Sequence, residues 1–196
     1  MKLRRALSAS IATAALLPMV VAAAPASQAA PAAELPKCSD VGQPHNDTLV
    51  GRTSGIPATI TLGTHWTTYT ATLTNTSAKE LKSFGLSART GSYIYNPGER
   101  DLSPYSDLQY WDTSQRAWKT LRDAEGKARG PVPGPKTLKP RESVHVKLRF
   151  RVGKDLPLDQ TYQGYTGLTG TFADRYNNTD CTVHSYAEGE FYPPQG

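Results

Sequence analysis

The sequence predicts an all-β protein folded as a single antiparallel sandwich, and three observations predict it. After residue 30 no stretch has a convincing 3.6-residue apolar period, which argues against amphipathic helices. Roughly seven to nine short runs with strand signals follow one another at near-even spacing, as in sandwiches and barrels. These runs alternate apolar and polar residues, so each sheet has one solvated face and one face available for a core.

The clearest strand is "SVHVKLRFRV", Ser143–Val152, which alternates without a break. Val146, Leu148 and Phe150 share one face and are predicted core residues. The opposite face carries a row of basic side chains, to which the same parity adds residues just upstream: Lys139, Arg141, His145, Lys147, Arg149 and Arg151. We interpret this row mainly as a solvated face, which would also discourage edge-to-edge pairing if the strand lay at an edge of the sheet. The alternative is that Lys147, Arg149 and Arg151 contact phosphates of an anionic cell-wall polymer.

The other predicted elements are read in the same way. A four-residue loop between two β-rich runs predicts a hairpin, with Trp118 as the neighbour of Tyr110 or Trp111. The Gly- and Pro-rich segment 122–137 is predicted to be a long surface loop, and "ADRYNNTD" a second loop. Strands are predicted over 56–62, 64–77, 81–89, 107–112, 117–121, 161–172 and 181–192.

The N-terminal segment predicts export. Lys2, Arg4 and Arg5 precede an apolar run, residues 11–24, and Ser27 and Ala29 have the spacing of a cleavage site. We interpret residues 1–29 as a secretory signal peptide, since the run is too short to cross a bilayer. The remainder divides into an extended arm, 30–48, one domain, 49–192, and a short tail, 193–196.

Removal of the signal peptide changes the charge balance. Three of the 22 basic residues leave with it, so 19 remain against 17 acidic residues, a net charge of +2. Such a weak excess argues against nucleic acid as a partner. No further apolar segment predicts a membrane span, and the expected location is extracellular.

Two cysteines, Cys38 and Cys181, are present in the whole chain. In an exported protein an even number of cysteines favours a disulfide, although two separate buried thiols are the alternative. The predicted bond would hold the N-terminal arm against a late strand.

Four segments together resemble a known group of proteins: "YTATLTNTSAKELKSF", "LQYWDTSQRAWKTL", "LKPRESVHVKLRFRV" and the late strand at Cys181. Over roughly residues 58–185 the chain resembles exported immunoglobulin-like surface and cell-wall proteins of high-GC Gram-positive bacteria. The resemblance implies an immunoglobulin-like sandwich. Many such proteins end in an L-P-x-T-G sorting signal, whereas "LPLDQ" here lies inside the domain. Release, or non-covalent retention in the wall, is therefore the expectation.

Motifs for catalysis or metal binding are weak. There is no Gly-x-Ser-x-Gly elbow, and each histidine stands alone in the sequence. Asp174, Asn177, Asn178 and Asp180 could offer oxygens to calcium, but a turn explains them better. The sequence thus predicts no catalytic residue, metal site or cofactor.

Aromatic residues give the best candidates for ligand contact. Tyr93, Tyr95 and Tyr105 lie close together in a segment that also holds Tyr110 and Trp111. Exposed rings can stack on sugars or anchor a protein contact. The predicted function is a secreted, non-catalytic interaction or structural module whose partner is an anionic wall polymer, a glycan or another surface protein. The alternatives are a carbohydrate-binding module, a secreted enzyme, and a protease inhibitor presenting "RGPVPGP".

Overall fold

The structure, a computed structural model, describes residues 34–44, 46–95 and 99–194. The predicted signal peptide lies outside the described residues. Within them the chain forms one short 3₁₀ turn, Ser103–Tyr105, and nine strands. The strands are β1 (Leu49–Ser54), β2 (Thr67–Asn75), β3 (Gly85–Ser92), β4 (Ser106–Asp112), β5 (Ala117–Leu121), β6 (Arg129–Val132), β7 (Ser143–Val152), β8 (Gly164–Tyr176) and β9 (Thr179–Phe191).

The strands form two antiparallel sheets, with orders β1-β2-β7-β4-β5 and β6-β3-β8-β9. The sequence-based prediction of an all-β sandwich is therefore confirmed. The order β1-β2-β7-β4 opposite β3-β8-β9 has the arrangement of the ABED and CFG sheets of an immunoglobulin domain. Strands β5 and β6 are additions to that plan. In the chain they lie between the strands that correspond to D and E, and each forms an edge of one sheet.

The inner faces of both sheets form one core. Val146, Leu148 and Phe150 of β7 are buried, as the alternation predicts. One polar chain crosses this core. The Tyr69 hydroxyl shares a 2.8 Å hydrogen bond with Thr166 Oγ1, which shares a second of 2.7 Å with Thr90 Oγ1. Burial raises the pKa of Tyr69, so the phenol stays neutral and its hydrogen bond joins the two sheets.

A buried asparagine fixes the turn after β2. The Nδ2 group of Asn75 lies 2.7 Å from the Lys79 carbonyl oxygen and 3.0 Å from that of Leu138. Its Oδ1 accepts hydrogen bonds from the backbone N–H and hydroxyl of Ser77. Because unpaired buried amides are costly, these bonds hold the turn against the segment that leads into β7.

One strand prediction near the start of the domain was wrong, and one strand was not predicted. The predicted strand 56–62 makes only an isolated bridge, Thr59 to Tyr192, and Pro57 within it cannot donate to a ladder. Strand β1 instead lies just before it. Gly51 of β1 comes so close to β9 that a Cβ there would lie 2.0 Å from the Tyr186 carbonyl oxygen. This contact closes one side of the sandwich and depends on tertiary packing, which a local pattern does not reveal.

Both predicted loops contain more strand than expected. Strand β6 lies within segment 122–137, at a sheet edge where its Pro131 is tolerated. The loop "ADRYNNTD" is reduced to a two-residue turn between β8 and β9, with φ of 47° at Asn177 and 62° at Asn178. Positive φ at both central residues is typical of a type I′ hairpin turn. The interpretation of these asparagines as turn residues is thus confirmed.

The predicted disulfide between Cys38 and Cys181 is confirmed. The arm beside it also adds backbone hydrogen bonds to β9: Cys38 N–H donates to the Thr182 carbonyl and Thr182 N–H to the Pro36 carbonyl. The segment is thereby fixed to β9 by covalent and hydrogen bonds.

We expect Phe150→Ala to lower the free energy of unfolding by about 3–5 kcal/mol, as large-to-small core changes do. The ring is fully buried and packs against Tyr69 and Phe191, with centroids 6.0 Å and 4.6 Å away. Urea unfolding measures the change. Val50→Ala, on the solvated side of β1, is the control and should shift stability by less than about 0.5 kcal/mol. Equal midpoints for the two variants would contradict the assignment of Phe150 to the core.

We also expect the Cys38→Ser, Cys181→Ser double variant to fold with lower stability. The chain-entropy model gives on the order of 5 kcal/mol for so long a loop, as an upper figure. Mass spectrometry of the alkylated, non-reduced wild-type protein should detect no free thiol, and thermal unfolding should detect a lower Tm in the variant. An unchanged Tm would contradict a stabilising role for the bond.

Candidate functional site

The outer face of the five-stranded sheet carries a stack of alternating cations and indole rings. Its members, here called the tryptophan–arginine ladder, are Arg151, Trp66, Arg149, Trp118 and Lys147. Arg149 lies between two rings, with Cζ 4.4 Å from the centre of Trp66 and 4.3 Å from that of Trp118. Guanidinium groups at such distances are attracted to the ring faces. The basic row is therefore not simply solvated.

Strand register explains how the ladder assembles. Arg149 of β7 lies opposite Gln109 of β4, which lies opposite Thr120 of β5. Arg149 Nε donates to Gln109 Oε1 at 2.8 Å, and Gln109 Nε2 donates to Thr120 Oγ1 at 3.0 Å. This chain of hydrogen bonds fixes the guanidinium plane between the indoles. Burial, with the nearby charge of Arg151, lowers the pKa of Arg149.

The neighbouring arginine has a different environment. Arg151 donates from Nε to Asp107 Oδ2 at 2.8 Å, and Arg122 pairs with Oδ1 of the same carboxylate at 2.6 Å. Burial by itself would raise the pKa of Asp107, but the hydrogen bonds from Arg151 and Arg122 outweigh it and lower that pKa. Arg151 thus has a carboxylate partner within the protein, which it shares with Arg122.

The remaining members of the basic row differ in their contacts. Lys147 is exposed, with Nζ 5.8 Å from the centre of Trp118. His145 Nδ1 shares a 3.0 Å hydrogen bond with Thr72 Oγ1. Lys139 and Arg141 precede β7, where Arg141 has φ of 64° in the turn. The alternation thus predicted the shared face of the β7 residues, but it did not predict their partners.

Exposed tyrosines lie on the outer face of the other sheet. This tyrosine face comprises Tyr93, Tyr95, Tyr165 and Tyr186. Tyr93 contacts Tyr165 with ring centroids 4.8 Å apart and Tyr95 with centroids 6.1 Å apart. The exposed fractions of Tyr95 and Tyr186 are 68% and 46%. Burial, reinforced by the charges of Glu188 and Glu190, raises the pKa of Tyr93.

An ion pair lies at the centre of the tyrosine face. Arg89 of β3 contacts Glu188 of β9 at 2.9 Å, across Gly167 of the intervening strand β8. A Cβ at Gly167 would lie 2.7 Å from Glu188 Cγ, so glycine leaves the space through which Glu188 reaches Arg89. The Arg89 guanidinium also lies 4.8 Å from the centre of Tyr165 and 5.3 Å from that of Tyr186. The ion pair therefore positions two of the tyrosines.

The third predicted tyrosine has a separate environment. Tyr105 packs against the core and lines a small cavity of about 180 Å³ beside Asp107 and Arg122. The structure therefore brings together Tyr93 and Tyr95 of the predicted cluster. It adds Tyr165 and Tyr186 from strands β8 and β9, which the sequence analysis had treated only as closing strands.

A cleft opens beside β7, where pairing with β4 ends at Tyr110 and Leu148. Beyond this point the β4–β5 hairpin is no longer paired with β7. In the hairpin Trp111 and Trp118 make a T-shaped contact with ring centroids 5.4 Å apart. Two cavities, of about 450 Å³ and 590 Å³, share Tyr110, Val132 and Pro133 in their walls. The "RGPVPGP" segment thus forms one wall of a cleft.

Two absences apply to residues 34–44, 46–95 and 99–194. Within these ranges no three His, Cys, Asp or Glu side chains come together in a way that could hold a metal ion. The same part of the chain contains no helix with the length and hydropathy needed to cross a bilayer.

Comparison with known proteins gives a likeness in fold. No family model matches the chain, and no curated protein matches it. One solved structure, described as AvmM, which catalyses macrocyclization in alchivemycin A biosynthesis, aligns with a TM-score of 0.51 at 19% identity. The alignment covers 77% of this chain and 91% of that one. At this identity the likeness concerns the fold alone.

Two other solved structures align with lower TM-scores. Spo0M, a sporulation control protein from Bacillus subtilis, aligns with a TM-score of 0.37 at 12% identity over 76% of this chain and 50% of that one. A GH20 exo-β-N-acetylglucosaminidase from Vibrio harveyi aligns with a TM-score of 0.31 at 9% identity. That alignment covers 70% of this chain and 17% of the glucosaminidase chain. Neither likeness bears on function.

We expect Asp107→Asn to lower the free energy of unfolding by about 0.5–1 kcal/mol at pH 7, the range of partly exposed ion pairs. Because the folded-state pKa of Asp107 lies below its ordinary value of about 3.9, this contribution is complete above that value. It is lost as the pH falls through the lower folded-state pKa. Denaturation of both proteins from pH 7 to pH 2 should show the difference shrinking toward acid, and a difference independent of pH would contradict it.

Proposed function

We propose that the protein is an exported, non-catalytic binding module of the cell surface or wall matrix, which contacts another surface protein through the tyrosine face. The observation that carries the proposal is the exposure of Tyr95 and Tyr186 around the Arg89–Glu188 ion pair. Tyrosine and arginine are enriched in protein interfaces, because they combine large apolar area with directed hydrogen bonds.

The positioning of these side chains supports a contact surface. Arg89 is attached to Glu188 and stacks on Tyr165 and Tyr186, so these rings lose little conformational freedom on binding. A pre-organised surface binds more tightly because less entropy is lost on association. Tyr186 also lines a cavity of about 430 Å³ together with Cys38 and His184, which gives the face a concavity at one margin.

Export is supported by two features. The segment 1–29 has the charge and hydropathy pattern of a secretory signal peptide. The Cys38–Cys181 disulfide fits an oxidising compartment, since such bonds are rare in reducing cytosol. Release, or non-covalent retention in the wall, belongs to the same proposal.

A glycan partner is the second candidate. The exposed ring of Tyr95 offers a flat face on which a sugar could stack, and Tyr93 lies beside it. Glu190 accepts a 3.0 Å hydrogen bond from Gln163 Nε2 near this end of the sheet, which adds polar groups that hydroxyls could contact. AvmM performs catalysis on a related fold, but the likeness carries no residue roles to this chain.

The test compares binding to two preparations of walls from a high-GC Gram-positive bacterium. One retains its surface proteins, and the other is stripped of protein by protease and detergent. We expect the mature chain to co-sediment with the first preparation, and the Tyr95→Ala, Tyr186→Ala double variant to bind at least tenfold more weakly, because truncation of anchor aromatics commonly costs more than 1 kcal/mol each.

Val50→Ala is the control, because Val50 is an exposed apolar residue on the other sheet. It should bind like the wild type. Tyrosine-dependent binding that persists on stripped walls would favour the glycan candidate. Equal binding by the double variant and the wild type would exclude the tyrosine face as the contact surface.

A further inference from the structure

Arg149 differs from the other half-buried arginines of the described residues. Arg89 pairs with Glu188 and Arg151 with Asp107. Within the described ranges Arg149 forms no ion pair, and its one hydrogen-bond acceptor is the neutral side-chain oxygen of Gln109. Because no carboxylate neutralises it, this half-buried guanidinium keeps its full positive charge on the sheet face.

The contacts of Arg149 leave its terminal nitrogens for a ligand. Its Cζ lies 4.4 Å and 4.3 Å from the ring centres of Trp66 and Trp118, and Gln109 occupies Nε. The terminal nitrogens, which hold four of the five guanidinium N–H donors, have no acceptor among the described residues. These donors lie beside the two indole rings, and the place between the rings is here called the slot. An incoming group therefore meets a planar edge of donors rather than a cationic face.

We propose that Arg149, held between Trp66 and Trp118, is the receptor for a single oxyanion, a carboxylate or phosphate group carried by a surface polymer. The site lies on the other sheet from the tyrosine face and does not depend on the function proposed above. Lys147, on the far side of Trp118, supplies a second positive charge toward the same ligand.

Three physical features select this ligand class. A planar guanidinium edge matches the paired oxygens of a carboxylate or phosphate, which it binds in bidentate fashion. The edges of aromatic rings carry partial positive charge, so the slot walls also favour an anion. Cationic and aromatic ligands are disfavoured, because Arg149 already occupies the facing surfaces of both rings. The lowered pKa of Arg149 has the direction expected of a cation whose charge is unbalanced.

Pre-organisation makes a single charge effective. Arginine side chains normally lose much rotamer entropy when they are fixed. Here the two indoles and the Gln109–Thr120 hydrogen bonds already fix the side chain before any ligand arrives. Lys147 and Arg149 are two residues apart on one strand and lie about 7 Å apart along it, within a Debye length at physiological salt. Affinity should therefore decline as salt is raised.

The chain itself provides the reporter for the test. Its three tryptophans are Trp66, Trp111 and Trp118, and two form the slot while Trp111 contacts Trp118. Intrinsic tryptophan fluorescence thus reports on this surface alone. The mature protein is titrated with three probes at low salt: sodium polyphosphate, polygalacturonate and neutral dextran. We expect a saturable fluorescence change with polyphosphate, polygalacturonate or both, and no change with dextran.

Variants then distinguish binding at Arg149 from attraction by the overall positive charge of the surface. Arg149→Gln should weaken binding at least tenfold, and Arg149→Lys, which keeps the charge but loses the planar edge, should also weaken it. The matched control is Arg52→Gln, because Arg52 is exposed on β1 in the same row as Thr72 and His145 on this outer face. It removes an equal charge without altering the slot and should bind like the wild type.

Each outcome decides the proposal. Binding of polyphosphate alone identifies phosphate as the source of the oxyanion, polygalacturonate alone identifies carboxylate, and both together support the shared chemistry. If neither probe binds, or if Arg149→Lys binds as tightly as the wild type, the proposed receptor is wrong. Equal weakening by Arg52→Gln would also overturn it. Circular dichroism checks that each variant is folded. If Arg149→Gln does not fold, the comparison is made with Arg149→Lys alone.

Discussion

The register of strand β7 between β2 and β4 is the constraint on which both sides of the five-stranded sheet depend. It directs Leu148 and Phe150 into the core and, by the same alternation, places Arg149 opposite Gln109 and Arg151 opposite Asp107. A slip of one residue would bury the arginines and expose the apolar side chains. Because one alternation determines both faces, the packing of the core and the assembly of the ladder cannot be separated.

Much of this architecture follows from local pattern. The unbroken alternation of residues 143–152, the hairpin at 113–116 and the cysteine pair predicted β7, the β4–β5 hairpin and the disulfide correctly. Strand β1 escaped prediction because its residues are only weakly apolar, and because its place depends on the fit of Gly51 against the backbone of β9. Edge strands such as β6 gave equally little local signal, since they need to bury few side chains.

The candidate sites were harder to predict than the strands that carry them. Trp66 lies before β2, Trp118 lies in β5 and Arg149 in β7, so the slot forms only when three separate segments meet. The same is true of Tyr93, Tyr165 and Tyr186 on the opposite sheet. Alternation identifies the face on which each side chain lies, whereas the partner across the sheet depends on strand order. One usable signal was the parity of Tyr186 and Glu188 in β9, which places an aromatic and a charged residue together on the solvated side.

The bond between Cys38 and Cys181 also determines how the domain would transmit mechanical force. A pull on the chain ahead of Cys38 enters near the start of β9, the edge strand of the four-stranded sheet, through a covalent link. The load then spreads by shear across the thirteen registered pairs between β9 and β8, and the close contact of Gly51 with Tyr186 passes part of it to β1. Since Arg89, Tyr165 and Tyr186 lie on these same strands and their neighbour β3, a partner held there would be coupled to the upstream chain through one sheet.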